Sequence, residues 1–191
     1  MLVRLSPAFC IMLALMLLML PLQWLLAAAV AAMYHELCHI LSIRLCRGNI
    51  HSFSFSTDGA KLDIADLSPA QELICSLAGP IGGLSLLFLS KWIPRIAVCA
   101  AFQSLYNLLP IYPLDGGRAL RCGITLLMPE KHAIRFCEVV ETVCLIAIIM
   151  MSLYASFLLK LGIYPLVPTI LIFLHTKFRK TPCKQWLMRL Q

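Results

Sequence analysis

Charge is scarce in this chain. Only 13% of its 191 residues are Asp, Glu, Lys or Arg, about half the share that a soluble domain carries. Acidic residues are the rarer kind, 9 against 16 basic ones. Internal repeats, low-complexity tracts and long polar linkers are also lacking, which excludes a solenoid, a disordered chain and a string of domains. Nine cysteines are present, but the number is odd and no two form a C-x-x-C pair. A disulfide framework or cysteine metal site therefore gives way to small apolar residues kept reduced.

Apolar side chains fill the space that charge leaves: 61% of residues are hydrophobic and the mean hydropathy is +0.88. Runs at roughly 3–20, 22–43, 70–90, 96–114, 136–159 and 161–175 each approach the ~20 residues that cross a bilayer as a helix. The pattern predicts an all-α polytopic membrane protein of about six transmembrane helices. Pro21, in Leu20-Pro21-Leu22-Gln23, predicts a tight turn between the first two, because proline fits the first turn of a helix and not its interior. Residues 1–29 also imitate a removable signal peptide, with Arg4, an apolar core and Ala27 to Ala29. Cleavage there would leave His35 about six residues from a new N-terminus and strip the turns that hold it, so the helical reading is preferred.

A net charge of +7 would suit nucleic acid, but its distribution points elsewhere. With the N-terminus in the cytoplasm, six crossings put thirteen of the sixteen basic residues on the inner side and only Lys91, Arg95 and Lys160 outside. That is the bias of cytoplasmic loops, and it implies attraction to anionic lipid with no direct nucleic-acid partner. Both termini are then cytoplasmic. Residues 1–176 form one membrane-embedded domain and 177–191 a short basic tail. The one sizeable polar insertion, 44–68, contains GNIHSFSFSTDGAKLDI, where Phe53 and Phe55 alternate with serines before a turn at Asp58-Gly59. This predicts a small β-hairpin in the first cytoplasmic loop, whose edge could accept an extended peptide; an ordinary loop covering helix ends is the alternative.

HELCH, residues 35–39, lies inside the second apolar run. Positions i and i+4 share a helical face, so His35 and His39 can aim ring nitrogens at one point. Glu36 is then placed to take a proton from water at the same metal without being a ligand, which is the physical reason for H-E-x-x-H. Polar residues satisfied within a helical bundle would be the bland reading. An ionisable group at membrane depth costs about 2.5–3.5 kcal/mol on insertion scales and is usually functional, and here three lie within one turn.

A catalytic zinc takes three protein ligands, so one is missing. His51, His132, His175, Glu72, Glu138, Glu141 and Asp115 are the candidates. The three histidines read as interfacial residues, Glu72 as a first-turn acid after Ser68-Pro69, and Glu138 and Glu141 as partners for a residue such as Arg135. Asp115 stands apart. In NLLPIYPLDGGR, residues 107–118, Pro110 and Pro113 interrupt a helix begun near Ile96, and Gly116-Gly117 removes side-chain bulk. Non-helical backbone at membrane depth is tolerated only where it is buried in protein or lines a wet cavity, so a broken helix presenting a carboxylate predicts a site. The inside-positive topology brings 35–39 and 115 to the same depth independently.

HELCH, the AGP at 78–80 and NLLPIYPLDGG at 107–117 together resemble the site-2 protease family of intramembrane zinc metalloproteases, nearest in wording to its compact bacterial, sporulation-type branch. The resemblance covers residues 20–125. It implies one Zn2+ per chain held by His35, His39 and Asp115, with Glu36 as catalytic base, Asn107 near the substrate, and the hairpin at 50–64 holding substrate extended. It further implies a bacterial cell membrane and a single-span membrane substrate, such as an anti-sigma factor or a membrane-tethered transcription factor. Two positions depart from the family's pattern: Cys38 stands where glycine is frequent, and Gly83 where Gly-Pro-x-x-Asn would place asparagine, so no role is carried to position 83. No peptide-binding or nucleotide-sensing domain follows residue 180, so such control is expected from a separate regulatory membrane protein.

The expected activity is endoproteolysis of a membrane-spanning helix near its cytoplasmic end. A metal transporter using the same three ligands, or an inactive scaffold of the same fold, are the alternatives. A transporter needs further polar residues through the outer half, which is nearly all Leu, Ile, Ala and Met, and an inactive scaffold usually lacks one of the four groups.

Overall fold

A computed structural model describes residues 21–47, 49–56, 59–65 and 67–158, with Gly162, Leu166, Thr169 and Ile170. The first expected span, nearly all of the last, and the tail lie outside the described residues.

Helix α1, Leu22–Leu45, starts directly after Pro21, whose carbonyl accepts from the Trp24 and Leu25 N–H groups at 2.9 and 3.2 Å. Its two faces are chemically opposite. Ala27, Ala31, His35 and His39, four residues apart, are buried, while Leu22, Leu26, Val30, Met33, Leu37, Leu41 and Leu45 are exposed. A soluble helix hides its large apolar side chains; this one turns them outward and packs through small and polar ones, as helices in lipid do.

After α1, strands β1 (Asn49–Ser56) and β2 (Gly59–Ala65) pair antiparallel, from Ile50 opposite Ile64 to Ser56 opposite Gly59. The register shifts between Ile50 and Ser52, leaving His51 as an extra residue.

Helix α2, Pro69–Ser85, is opened by a capping box. The Ser68 hydroxyl accepts from the Gln71 N–H and the Gln71 side chain accepts from the Ser68 N–H, with Pro69 at the first helical position. Gln71 also donates to the Cys46 carbonyl at 3.3 Å, which ties the start of α2 to the end of α1. A 3-10 turn, Leu86–Leu89, extends α2. Central in the bundle, α2 packs against α1, α3 (Pro94–Asn107) and α4 (Asp115–Leu127). Small residues make these contacts: Ala31 of α1 and Ala100 of α3 meet Leu86, and Gly79 and Gly83 of α2 are buried.

The apolar run at 96–114 is helical only in its first part, in line with the break expected at Pro110 and Pro113. Its helix stops at Asn107 after 14 residues, about 21 Å of rise, and Leu108–Leu114 is non-helical. Pro110 and Pro113 have no N–H to give, and a proline ring collides with the carbonyl four residues back. Gly116 then lets α4 start against the loop: a Cβ there would lie 2.1 Å from the Leu108 carbonyl oxygen. Helix α5, Glu130–Phe157, spans 28 residues and packs on α4. By length and composition three described helices can cross a membrane, Leu22–Leu45, Pro69–Leu89 and Lys131–Phe157. The protein is an integral membrane protein.

Candidate metal centre

Three ligand atoms from two distant parts of the chain converge. His35 Nε2 lies 3.1 Å from His39 Nε2 and 3.1 Å from Asp115 Oδ2, and His39 Nε2 lies 3.2 Å from that same oxygen. The histidines come from adjacent turns of α1, with ring centroids 4.8 Å apart at 78°. The aspartate comes from the first residue of α4, delivered by the break that follows α3. His35 is 2% and His39 8% exposed. Among the described residues no other three His, Cys, Asp or Glu groups converge in this way.

The triangle fits a zinc ion. Bonds of about 2.0–2.1 Å in a tetrahedral site put ligand atoms about 3.3 Å apart, close to all three separations. The chemistry of the donors agrees. His39 Nδ1 lies 2.7 Å from the Cys75 carbonyl oxygen; a carbonyl only accepts, so Nδ1 carries the proton, and in the neutral ring that leaves the Nε2 lone pair, on the side of Asp115, to ligate. His35 Nδ1 is buried with no partner among the described residues, so only one of the two rings has its tautomer set by an outer hydrogen bond.

Backbone without a side chain makes room for the second ring. A Cβ at Gly79 would lie 2.2 Å from His39 Nε2 and 2.6 Å from its Cε1, so the imidazole rests directly on the α2 backbone at the glycine of the AGP motif. Around the triangle, Asn107 at the last turn of α3 brings its side-chain nitrogen to 3.3 Å from His35 Nε2. Glu36 is half-buried on the ligand turn of α1, close enough for the charges of His35, His39, Asp115 and Arg118 to act on it.

The other sequence candidates lie apart from the centre. Glu72 pairs with Arg118 at 3.5 Å, linking α2 to α4. Glu141 pairs with Arg121 at 3.5 Å and not with Arg135, which is exposed on α5. His132 and Glu138 are exposed. The His51 side chain and all of His175 are outside the described residues. Missed from sequence were the Cys75 carbonyl, whose backbone oxygen carries no residue signature, and the Glu72–Arg118 and Arg121–Glu141 pairs. Charged residues in a sparsely charged chain were the available signal.

No protein-family model matches this chain, and no curated protein sequence matches it. Among solved structures it is similar to the Site-2 Protease from Methanocaldococcus jannaschii, with a TM-score of 0.58 and 17% identity over 80% of this chain and 74% of that one. The fold is like that of a site-2 protease. At this identity the likeness is one of backbone architecture, and the case for chemistry rests on the triangle itself.

Proposed function

We propose that this protein is a zinc-dependent intramembrane endopeptidase of the compact bacterial type, cleaving a membrane-spanning helix near its cytoplasmic end. The observation that carries the reading is the convergence of His35, His39 and Asp115 to mutual distances of 3.1–3.2 Å beside Glu36, within a bundle whose outer face is apolar. His35, His39 and Asp115 would hold the ion. When bound, zinc supplies a Lewis acid that lowers the pKa of water toward about 7 and polarises a carbonyl.

The chain's own groups do the rest. Glu36 takes the proton from the attacking water and later gives it to the leaving amine, a general acid and base in turn. Asn107 donates to the scissile carbonyl as negative charge develops there, a role supported by its side-chain nitrogen lying 3.3 Å from His35 Nε2. The Cys75 carbonyl keeps His39 in the ligating tautomer. A helix must unwind before its carbonyls can be attacked, and the β1–β2 hairpin offers a strand edge to hold it extended. The substrate is then a single-span membrane protein whose soluble part is cytoplasmic, such as an anti-sigma factor or a membrane-tethered transcription factor, with both termini of the enzyme also inside and a separate membrane protein gating access.

The transporter alternative is disfavoured because the ligand face of α1 continues outward as Ala31 and Ala27, with no polar relay on that face. The scaffold alternative is disfavoured because both histidines, the aspartate and the glutamate are in place. The decisive experiment reconstitutes purified protein with candidate single-span substrates. Glu36→Gln is expected to keep its zinc and lose cleavage; persistent cleavage would show that another group is the base.

A further inference from the structure

Glu141 has no part in the chemistry above, yet it stands 11 residues into an apolar helix, about 16 Å from its start. An ionisable group at such a place is a functional candidate by default, its partner to be named. Here the partner is Arg121, on the helix that Asp115 begins.

The backbone of the broken segment shows where it is weakest. Between α3 and α4, the Leu108 N–H donates to Ser104, Leu109 to Tyr106, Ile111 to Leu109 and Leu114 to Ile111, all to carbonyl oxygens. Pro110 and Pro113 have no N–H, and Tyr112 has no part in these backbone pairs. A segment with so few internal bonds in an apolar layer needs support from its neighbours. The Glu141 carboxylate pairs with Arg121 at 3.5 Å, and the Arg121 guanidinium carbon lies 4.1 Å from the centre of the Tyr112 ring. Arg121 is on α4, six residues after Asp115. Three groups from the broken segment, α4 and α5 thus close on one another, bracketing the residue that brings the third ligand.

We propose that Glu141 is a positioning residue for Asp115: with Arg121 and Tyr112 it clamps the 108–114 segment to α5 and thereby sets how tightly the centre holds its metal. The proposal rests on the metal-centre reading, and the test separates the two. Zinc affinity is measured in detergent by competition with a chromophoric chelator, alongside the visible spectrum of the Co2+-loaded protein and thermal unfolding of the metal-free form. Asp115→Ala is expected to abolish tight binding. Glu141→Ala is expected to weaken zinc about tenfold, the low end for outer partners of a ligand, and to shift the cobalt bands. Glu141→Gln keeps an acceptor for the Arg121 guanidinium and should recover most of the affinity; Glu138→Ala, exposed on the same helix, should match wild type.

Wild-type affinity and cobalt bands in Glu141→Ala, with Asp115→Ala impaired, would overturn the clamp and leave the metal centre standing. Equal losses in Glu141→Ala, Glu141→Gln and Glu138→Ala would overturn it too, by showing a general effect on α5. Wild-type affinity in Asp115→Ala would overturn the metal reading and the clamp together. If Glu141→Ala does not fold, Arg121→Lys takes its place, because it keeps the charge and loses the planar fork: a severalfold loss supports the clamp and unchanged affinity overturns it.

Discussion

The two halves of α1 use one spacing for two purposes. Ala27, Ala31, His35 and His39 lie four residues apart on a single buried face. In the N-terminal half that face is methyl groups that let α2 and α3 approach, with Ala31 against Leu86 and Ala100. In the C-terminal half the same positions carry imidazoles that meet a carboxylate from 76 residues further along the chain. The difference teaches where specificity of structure is needed. A small-residue seam tolerates small shifts because each contact is worth little alone, whereas three ligand atoms within 3.2 Å of one another require the angular precision of a site built on rigid helices.

Substitutions in the C-terminal half should therefore separate metal from fold. His39→Ala removes one of three donors, and zinc in purified protein should fall from about one ion per chain to a small fraction, cleavage vanishing with it, while circular dichroism keeps the wild-type helix content. Retained stoichiometric zinc would remove His39 from the centre. Gly79→Ala should come next. Its Cβ would sit 2.2 Å from His39 Nε2, so the ring must move, and a loss of about 10–100-fold in zinc affinity is expected, the range seen when support around a ligand is disturbed. Unchanged affinity would mean that the ring does not rest on α2 as described.

Much of this was readable in one dimension, because the signals were local. His35 and His39 share a face by helical period alone, and Pro110, Pro113 and Gly116 mark a break whatever surrounds them. The exact end of α3 was less readable than the break itself. Hydropathy sums side chains to residue 114 and does not register that the regular helix ends at Asn107. Contacts between elements were hidden for a related reason: nothing near Glu141 in sequence points to Arg121, twenty residues away on another helix. The two departures from the family's motifs also become intelligible only in three dimensions. A Cβ at Gly82 would lie 2.3 Å from Cys38 Sγ, and one at Gly83 would lie 2.1 Å from Ser104 Oγ. Cys38 is thus accommodated by a glycine opposite it, and the space that an asparagine at 83 would need is filled by Ser104.

The N-terminal half offers the milder test and the sharper contrast. Ala31 is fully buried, so Ala31→Leu forces extra methyl groups into the seam between α1, α2 and α3, where overpacking costs about 1–3 kcal/mol. The expected result is a lower unfolding temperature in detergent with zinc affinity unchanged, since the displaced atoms lie a full turn from His35. Should Ala31→Leu instead release zinc at wild-type stability, the two halves of the helix would be one functional unit. Smallest of all should be Ser68→Ala, which removes the cap of α2 at a cost of about 1 kcal/mol. Because Gln71 bonds the Cys46 carbonyl as well as the Ser68 N–H, part of the link between α1 and α2 survives the change, and the measured loss should fall at or below that figure; a much larger loss would mean that the cap, and not the small-residue seam, is what holds α2 in register with the ligand helix.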